Sequence, residues 1–284
     1  MKKVLILITI AVIMVIGFNP KANAQEQTET LFPSQCGKYT SLYPDSLNLY
    51  FTNFDDFFAS AWTVSGQPVT ERSTMQFDFS SIPGNAIIDS AFLYLYWYPS
   101  TSNIGHSTLS GSNACWLQRA LSSWNSNTLT WNNQPASTAT NEISLPMSTN
   151  DTENYPNINI LPMVQDMIAY GNYGFVFLLQ TEVHYRSMIF SSSYTSDSSV
   201  MPRLRISYHI TNSIQTNLGI ESICAGSSLL VPYTAVGTFI AGNNFIAQLS
   251  DANGAFIFPQ NIGSISSTTS GIINALIQIG RAHV

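Results

Sequence analysis

Residues 72–98, RSTMQFDFSSIPGNAIIDSAFLYLYWY, decide the fold, because they read as two strands joined at a Ser-Ser-Ile-Pro-Gly-Asn corner. In the first arm Met75, Phe77 and Phe79 alternate with Gln76 and Asp78, the period of two that puts one side of a strand in a core and the other in water. Pro83-Gly84-Asn85 then stops the ladder: proline offers no N–H, and glycine or asparagine accepts positive φ. The second arm is apolar on both sides, with Ala91, Leu93, Leu95 and Trp97 on one and Phe92, Tyr94, Tyr96 and Tyr98 on the other. Only one side can face the main core of a two-sheet protein. Aliphatic side chains pack densely without polar atoms, so the Leu93/Leu95 side is assigned to the core. The tyrosine side is then either covered by a loop or neighbouring strand or left as a platform for a ligand.

Working outward to the ends, residues 1–24 hold Lys2 and Lys3, an apolar run from Val4 to Phe18, and Ala22-Asn23-Ala24 before Gln25. This is the pattern of a secretory signal with an A-x-A cleavage site. The run is too short and wrongly flanked for a membrane span. The mature chain is therefore expected to begin near Gln25, secreted or at the cell surface. At the other end, residues 279–284, IGRAHV, match the translation of a common sequencing adapter. The reading gives Arg281 and His283 no role and expects the natural chain to continue past Gln278.

The formal charge is −6, from 10 basic and 16 acidic residues; without Lys2, Lys3, Lys21 and Arg281, six bases face sixteen acids, a net −10. With no basic patch to neutralise phosphates, nucleic acid is not an expected partner. Charged residues make up only 9% of the chain, so its surface must be largely Ser, Thr, Asn and Gln. With 45% hydrophobic residues, the chain is too apolar to be disordered. Cys36, Cys115 and Cys224 lie far apart and form no C-x-x-C pair, so zinc is not expected. Cys36 and Cys115 could pair in an oxidising compartment or stay as buried thiols.

In chain order, Leu47 to Phe51 and Ala59 to Val64 read as opening strands, with Asp55-Asp56 between them as a solvated turn rather than a calcium loop. A Ser/Thr/Asn/Gly-rich loop runs from Pro99 to Gly111, followed by a strand at Ala114 to Arg119. His106 lies in that loop with no positioned acid partner, and reads as a loop residue, not a general base. Trp124 and Trp131 flank a short β run. Asn159 to Gly171 is the one clear helix, with Pro162 in its first turn, Leu161, Val164 and Ile168 on one stripe and Gly171 as its stop. Tyr173 to Gln180, Ser187 to Phe190 and Pro202 to Tyr208 read as further strands.

The segments around the central strands, SGSNACWLQRALSSW, TLTWNNQP, LPMVQDMIAYGNYGFVFLLQTE, YRSMIFSSS and PRLRISY occur in this order over residues 43–208. As a set they resemble the DNRLRE, or disaggregatase-related, domain. The resemblance implies a jelly-roll β-sandwich used as a module in secreted and surface proteins, some relatives being carbohydrate-binding modules, including for alginate-like polysaccharides. It implies no catalytic dyad. After Met188-Ile189-Phe190 many relatives carry an acidic residue where this chain has Ser191-Ser192-Ser193-Tyr194. From Ile220 the character changes, and residues 222–271 resemble the immunoglobulin-like repeat of large surface proteins of Gram-negative bacteria. Strands are expected at Val231 to Tyr233, Phe245 to Leu249 and Ile262 to Ile265, with a turn at Asp251-Ala252-Asn253-Gly254.

The reading is therefore an all-β chain: a signal peptide (1–24), a jelly-roll-type β-sandwich with one short helix (25–210), a polar linker (211–219), an incomplete immunoglobulin-like β-sandwich (220–278) and the adapter-like end (279–284). The expected function is a non-catalytic secreted or cell-surface module that binds polysaccharide or adheres. A structural spacer, or an accessory to a degrading enzyme, are the alternatives. No carboxylate pair or metal-ligand spacing points to catalysis, a metal or a cofactor. Glu182, His184 and Arg186 alternate with Val183 and Tyr185, which would align them on one strand face. If that face shares a sheet with Tyr94 and Tyr96, the five would form one site, with rings for stacking and polar groups for hydroxyls or carboxylates. The competing reading is a solvated, mutually paired strand face.

Overall fold

A computed structural model describes residues 14–16, 26–42, 54–97, 105–216, 218, 226–250, 255–257 and 259–277. The strand expected at Leu47 to Phe51, the turn at Asp251 to Gly254, Tyr98, Cys224, and most of the expected signal lie outside the described residues. The chain divides into two compact units, one of Gln27–Gly84 and Ile88–Tyr208, the other containing 209–277 together with Met14–Ile16 and Asn85–Ile87.

Strands β1 to β6 are Met14–Ile16, Gln27–Leu31, Pro33–Thr40, Asp56–Val64, Gln67–Phe77 and Ala86–Leu95. They are followed by β7 (Ser107–Thr108), β8 (Cys115–Ala120), β9 (Ser137–Leu145), β10 (Tyr155–Asn159) and helix α1 (Leu161–Tyr170). After the helix come β11 (Phe175–Leu179), β12 (Arg186–Ser191) and β13 (Arg203–Ile210). The first unit has two antiparallel sheets. One runs β10-β6-β13-β2; the other, of eight strands, runs β7-β12-β4-β5-β11-β8-β9, with β3 also paired to β5. Among the described residues the chain is all-β apart from one short helix.

The two central strands do not pair: β5 lies in the larger sheet and β6 in the smaller, and each has one aliphatic or aromatic side to bury. On β6, Ala91, Leu93 and Leu95 are each fully buried, the side expected to face the core. Opposite them the larger sheet supplies Phe57, Phe175, Phe177 and Phe190. Phe57 stacks on Phe177 at 5.0 Å, and Tyr155 of β10 meets Phe190 of β12 edge to face at 5.4 Å, joining the two sheets. Burying each such ring stabilises the unit by roughly 1.5–3 kcal/mol. The β4–β5 turn is two residues, Ser65 and Gly66, both at positive φ (50° and 77°). That is the twist that keeps a tight hairpin aligned with its strands.

Several expectations are corrected. Asp56 is buried within β4, not in a solvated turn, and its carboxylate takes the Lys38 ammonium at 2.5 Å. The stretch from Trp124 to Trp131 is a series of turns, held by Asn133 Nδ2 donating to Thr128 O and Asn133 Oδ1 accepting from the Thr130 N–H. Its two asparagine-bonded turns outcompete a β ladder, and Trp124 and Leu129 pack down on Gly37, where a Cβ would come within 2.8 Å of Leu129 Cδ2. In α1 the buried stripe is Met163, Val164 and Met167, while Ile168 is exposed, because it lies about 90° round the helix from that stripe. Gly171, at φ 109°, ends the helix as expected. Cys36 and Cys115 are free, buried thiols, and burial pushes Cys36 up to about 11.

In the second unit Ser213–Thr216 is a strand (β14), not a polar linker; it pairs with β15 (Ser228–Val236), which pairs with β18 (Gly271–Leu276). A second sheet joins β1, β16 (Asn244–Leu249) and β17 (Gln260–Ser266). Both enclose a core built on Val231, Tyr233, Phe245, Ala247 and Ile273. Among the described residues no helix is long and apolar enough to cross a membrane.

Candidate functional site

The alternation that buries Phe57, Ala59 and Ala61 of β4 sends Phe58, Ser60, Trp62 and Val64 to the other side of that strand. Register extends this second face across three strands: Ser60 lies opposite Glu71 of β5 and Ser187 of β12, Trp62 opposite Val69, and Phe58 opposite Ile189. These residues line one cavity of about 590 Å³, together with Gly105, His106, Ser107 and Asp151 from two loops. That volume falls in the range of small-ligand sites.

The walls are held by hydrogen bonds. The His106 N–H donates to Asp151 O at 2.9 Å, tying one loop to the other. The imidazole Nδ1 accepts from the Ile189 N–H at 2.9 Å, which leaves Nε2 to donate to Glu153 O at 2.8 Å. The accepting Nδ1 specifies a neutral ring, and burial holds its pKa below the ordinary 6.5. His106 is thus a structural post. Ser187 Oγ donates to Gly105 O, and fully buried Asn113 bonds both Ser187 O and Ser148.

On the cavity floor Ser60 Oγ donates to Glu71 Oε2 at 2.7 Å. Burial raises the Glu71 carboxyl above its ordinary value, with the Ser60 bond and Lys38 opposing that rise. Lys38 is buried, its ammonium on Asp56 and 3.8 Å and 4.5 Å from the Phe54 and Phe58 ring centres. At one end Trp62 is 37% exposed and Tyr185 is 41% exposed, their rings edge to face at 5.3 Å. Tyr185 holds φ at 72°, a conformation that costs a bulky residue energy and collects at functional positions.

The five residues expected from the sequence are not brought together. Tyr94 and Tyr96 lie half-buried at β6, in the four-stranded sheet, where the Arg203 guanidinium sits 5.4 Å and 5.1 Å from their ring centres and donates to Tyr96 Oη at 2.6 Å. Glu182 and His184 precede β12 rather than lying on a strand with Arg186, so strand alternation does not align the three. The break comes at Tyr185, whose positive φ turns the chain. Glu182 takes Arg72 in a two-pronged pair at 2.7 and 3.1 Å, below Trp131 at 4.9 Å. Arg186 donates to Ser110 Oγ and O, while Ser110 Oγ donates to His184 O and Ser107 Oγ to Tyr185 O. This short segment therefore clamps the loop that walls the cavity.

A model of carbohydrate-binding module family 96 matches residues 58–208, from the strand that carries Trp62 to the closing strand. The chain belongs to carbohydrate-binding module family 96. No curated protein matches it. Every residue that lines the cavity falls inside the matched span, and the module is non-catalytic and carbohydrate-binding. Trp62 and Ser60 had a signal in the sequence: with Ala59 and Ala61 on the core side of ASAWTV, the serine and tryptophan must share the other, whereas Glu71 shares the parity of Met75 and Phe77 and is placed in the cavity only by its pairing with Ser60. Ser107, Asp151 and Ser187 come from distant segments that only the register brings together.

Proposed function

We propose that the module binds polysaccharide in the cavity on β12, β4 and β5, and that it serves an exported protein of the DNRLRE kind. The observation that carries the reading is the exposed Trp62/Tyr185 pair at the mouth of a cavity floored by Ser60, Glu71 and Ser187. Aromatic faces stack on the C–H faces of sugar rings, and hydroxyl and carboxylate groups take the sugar hydroxyls. Stacking is assigned to Trp62 and Tyr185 rather than to Tyr94 and Tyr96, whose rings are occupied by Arg203. Glu182, His184 and Arg186 are assigned as positioning groups for the cavity wall.

The signal-like first 24 residues support export to the cell surface or medium. The second unit, with its own two-sheet core, suits a spacer that carries the module outward. Within a larger protein the module would act as an adhesive domain or as the accessory of a polysaccharide-degrading enzyme. A glycan array on the mature chain tests the reading: specific retention of a polysaccharide, lost in Trp62→Ala, is the expected result.

A further inference from the structure

We infer that the β16 edge of the second unit docks β16 of a second copy of this chain, and that removal of residues 1–24 opens it. The inference rests on the export reading above and is independent of where polysaccharide binds. In the second unit β16 lies between β17 and β1, and β1 pairs with it antiparallel: Met14 opposite Ala247, Val15 opposite Ile246 and Ile16 opposite Phe245. Met14–Ile16 falls inside the signal-like segment, so cleavage before Gln25 takes away the strand that covers this edge.

The edge left behind is suited to pairing. Phe245 and Ala247 are fully buried in the core of the unit, while Ile246 and Gln248, on the opposite side of the strand, are half-buried. Without β1, backbone N–H and C=O groups beside that core lose their partners, and such a row recruits another strand. Sheets commonly guard an edge with a charge, a proline or a bulge. β16, Asn-Phe-Ile-Ala-Gln-Leu, carries neither charge nor proline, and the bulge in its ladder with β17 lies in β17, where Ile262 is the extra residue. From Thr211 to Gln278 the sequence has two charged side chains, Glu221 and Asp251, so little repulsion keeps two copies apart.

A second β16 fits the place of β1. With Ile246 opposite its own counterpart, Phe245, Ile246 and Ala247 of the second copy take the positions of Met14, Val15 and Ile16 in the same antiparallel direction. That register sets each Phe245 against the other copy's Ala247, a large side chain against a small one, and each Asn244 against a Gln248. Opposite residues of an antiparallel ladder share a face, so the buried residues of both copies stay on the core side. A two-fold axis at Ile246 makes the contact isologous, and it closes at two chains.

The test is analytical ultracentrifugation of the chain from Gln25 to Val284. The wild-type mass should double across roughly 10–500 µM, as suits a small, transient interface, while Ile246→Lys should stay at the single mass with an unchanged unfolding midpoint. In a Cys224→Ser background, mild oxidation should link Ile246→Cys into a dimer about tenfold or more faster than Asn244→Cys, whose two copies would lie about 14 Å apart along the ladder, beyond the reach of a disulfide. Trp62→Ala should dimerise like the wild type, so a failure of the binding reading leaves this one standing. A chain that stays single throughout that range, a dimer that Ile246→Lys leaves intact, or faster linkage of the Asn244→Cys variant overturns the inference. So does an exported protein whose mass still includes Met14–Ile16.

Discussion

Trp62 and Tyr185 meet edge to face, with ring centres 5.3 Å apart and planes at 88°, though the one lies within β4 and the other just before β12. The Tyr185 N–H donates to Ala61 O at 2.8 Å, so the backbone contact that starts the β12–β4 ladder also sets the ring pair. Two exposed aromatics fixed by a ladder lose little side-chain freedom when a sugar arrives. Trp62→Ala should therefore weaken polysaccharide binding by roughly 1–3 kcal/mol, and Tyr185→Ala by less, with unfolding midpoints little changed for Trp62. Isothermal titration and urea denaturation of both variants check this.

The Lys38–Asp56 pair is the one ion pair that is buried on both sides among the described residues. Burial alone lowers the Lys38 pKa, and Asp56 opposes the fall. Lys38→Met strands a carboxylate inside β4 and should cost roughly 3–5 kcal/mol, whereas Lys38→Met/Asp56→Leu should recover most of that loss. Urea midpoints of the single and double variants decide it. A double variant as unstable as the single one would mean that the pair holds more than itself.

His106 makes stability depend on pH. Its folded pKa lies below the unfolded 6.5, so the neutral ring's contribution is present in full above 6.5. As pH falls below that value the unfolded chain takes the proton first, and the contribution is lost down to the folded midpoint. Urea midpoints of the wild-type chain should fall through this window more steeply than those of His106→Gln. Proton NMR should show the His106 ring titrating below 6.5.

Gly37 sits under Leu129 and Trp124, where an added Cβ would meet Leu129 Cδ2 at 2.8 Å and Trp124 Cζ3 at 3.1 Å. Gly37→Ala should cost about 1–3 kcal/mol by overpacking and loosen the turn segment that covers β3 and β5. Thermal unfolding measures the cost, and the near-UV dichroism of Trp124 reports the loosening.

Much of the fold was legible because apolar alternation is a local signal. Leu93 and Leu95 face the core, the helix spans Leu161–Tyr170, and the strands at Val231, Phe245 and Ile262 are all present. Among the strands that escaped, Pro33–Thr40 and Ser137–Leu145 are rich in Ser, Thr, Gln and Asn, and are strands through their partners rather than their own pattern. The site was harder to read. Period-two counting through Val183 and Tyr185 assumes a continuous strand, and one positive φ at Tyr185 breaks it. Joining Tyr94 to Arg186 needed both on one sheet, which sequence spacing cannot specify; they lie on different sheets. The lining of the cavity depends on register across β12, β4 and β5, a long-range property.

The most direct measurement is a heteronuclear NMR titration of the isotope-labelled mature chain with short oligosaccharides cut from the polysaccharide it retains. The account predicts that the Trp62 indole and the amides of Ser60, Glu71, Ser107 and Ser187 shift with one binding isotherm while those of Tyr94, Tyr96 and Arg203 stay still. Shifts centred on Tyr94, Tyr96 and Arg203, with the Trp62 indole unmoved, would contradict it.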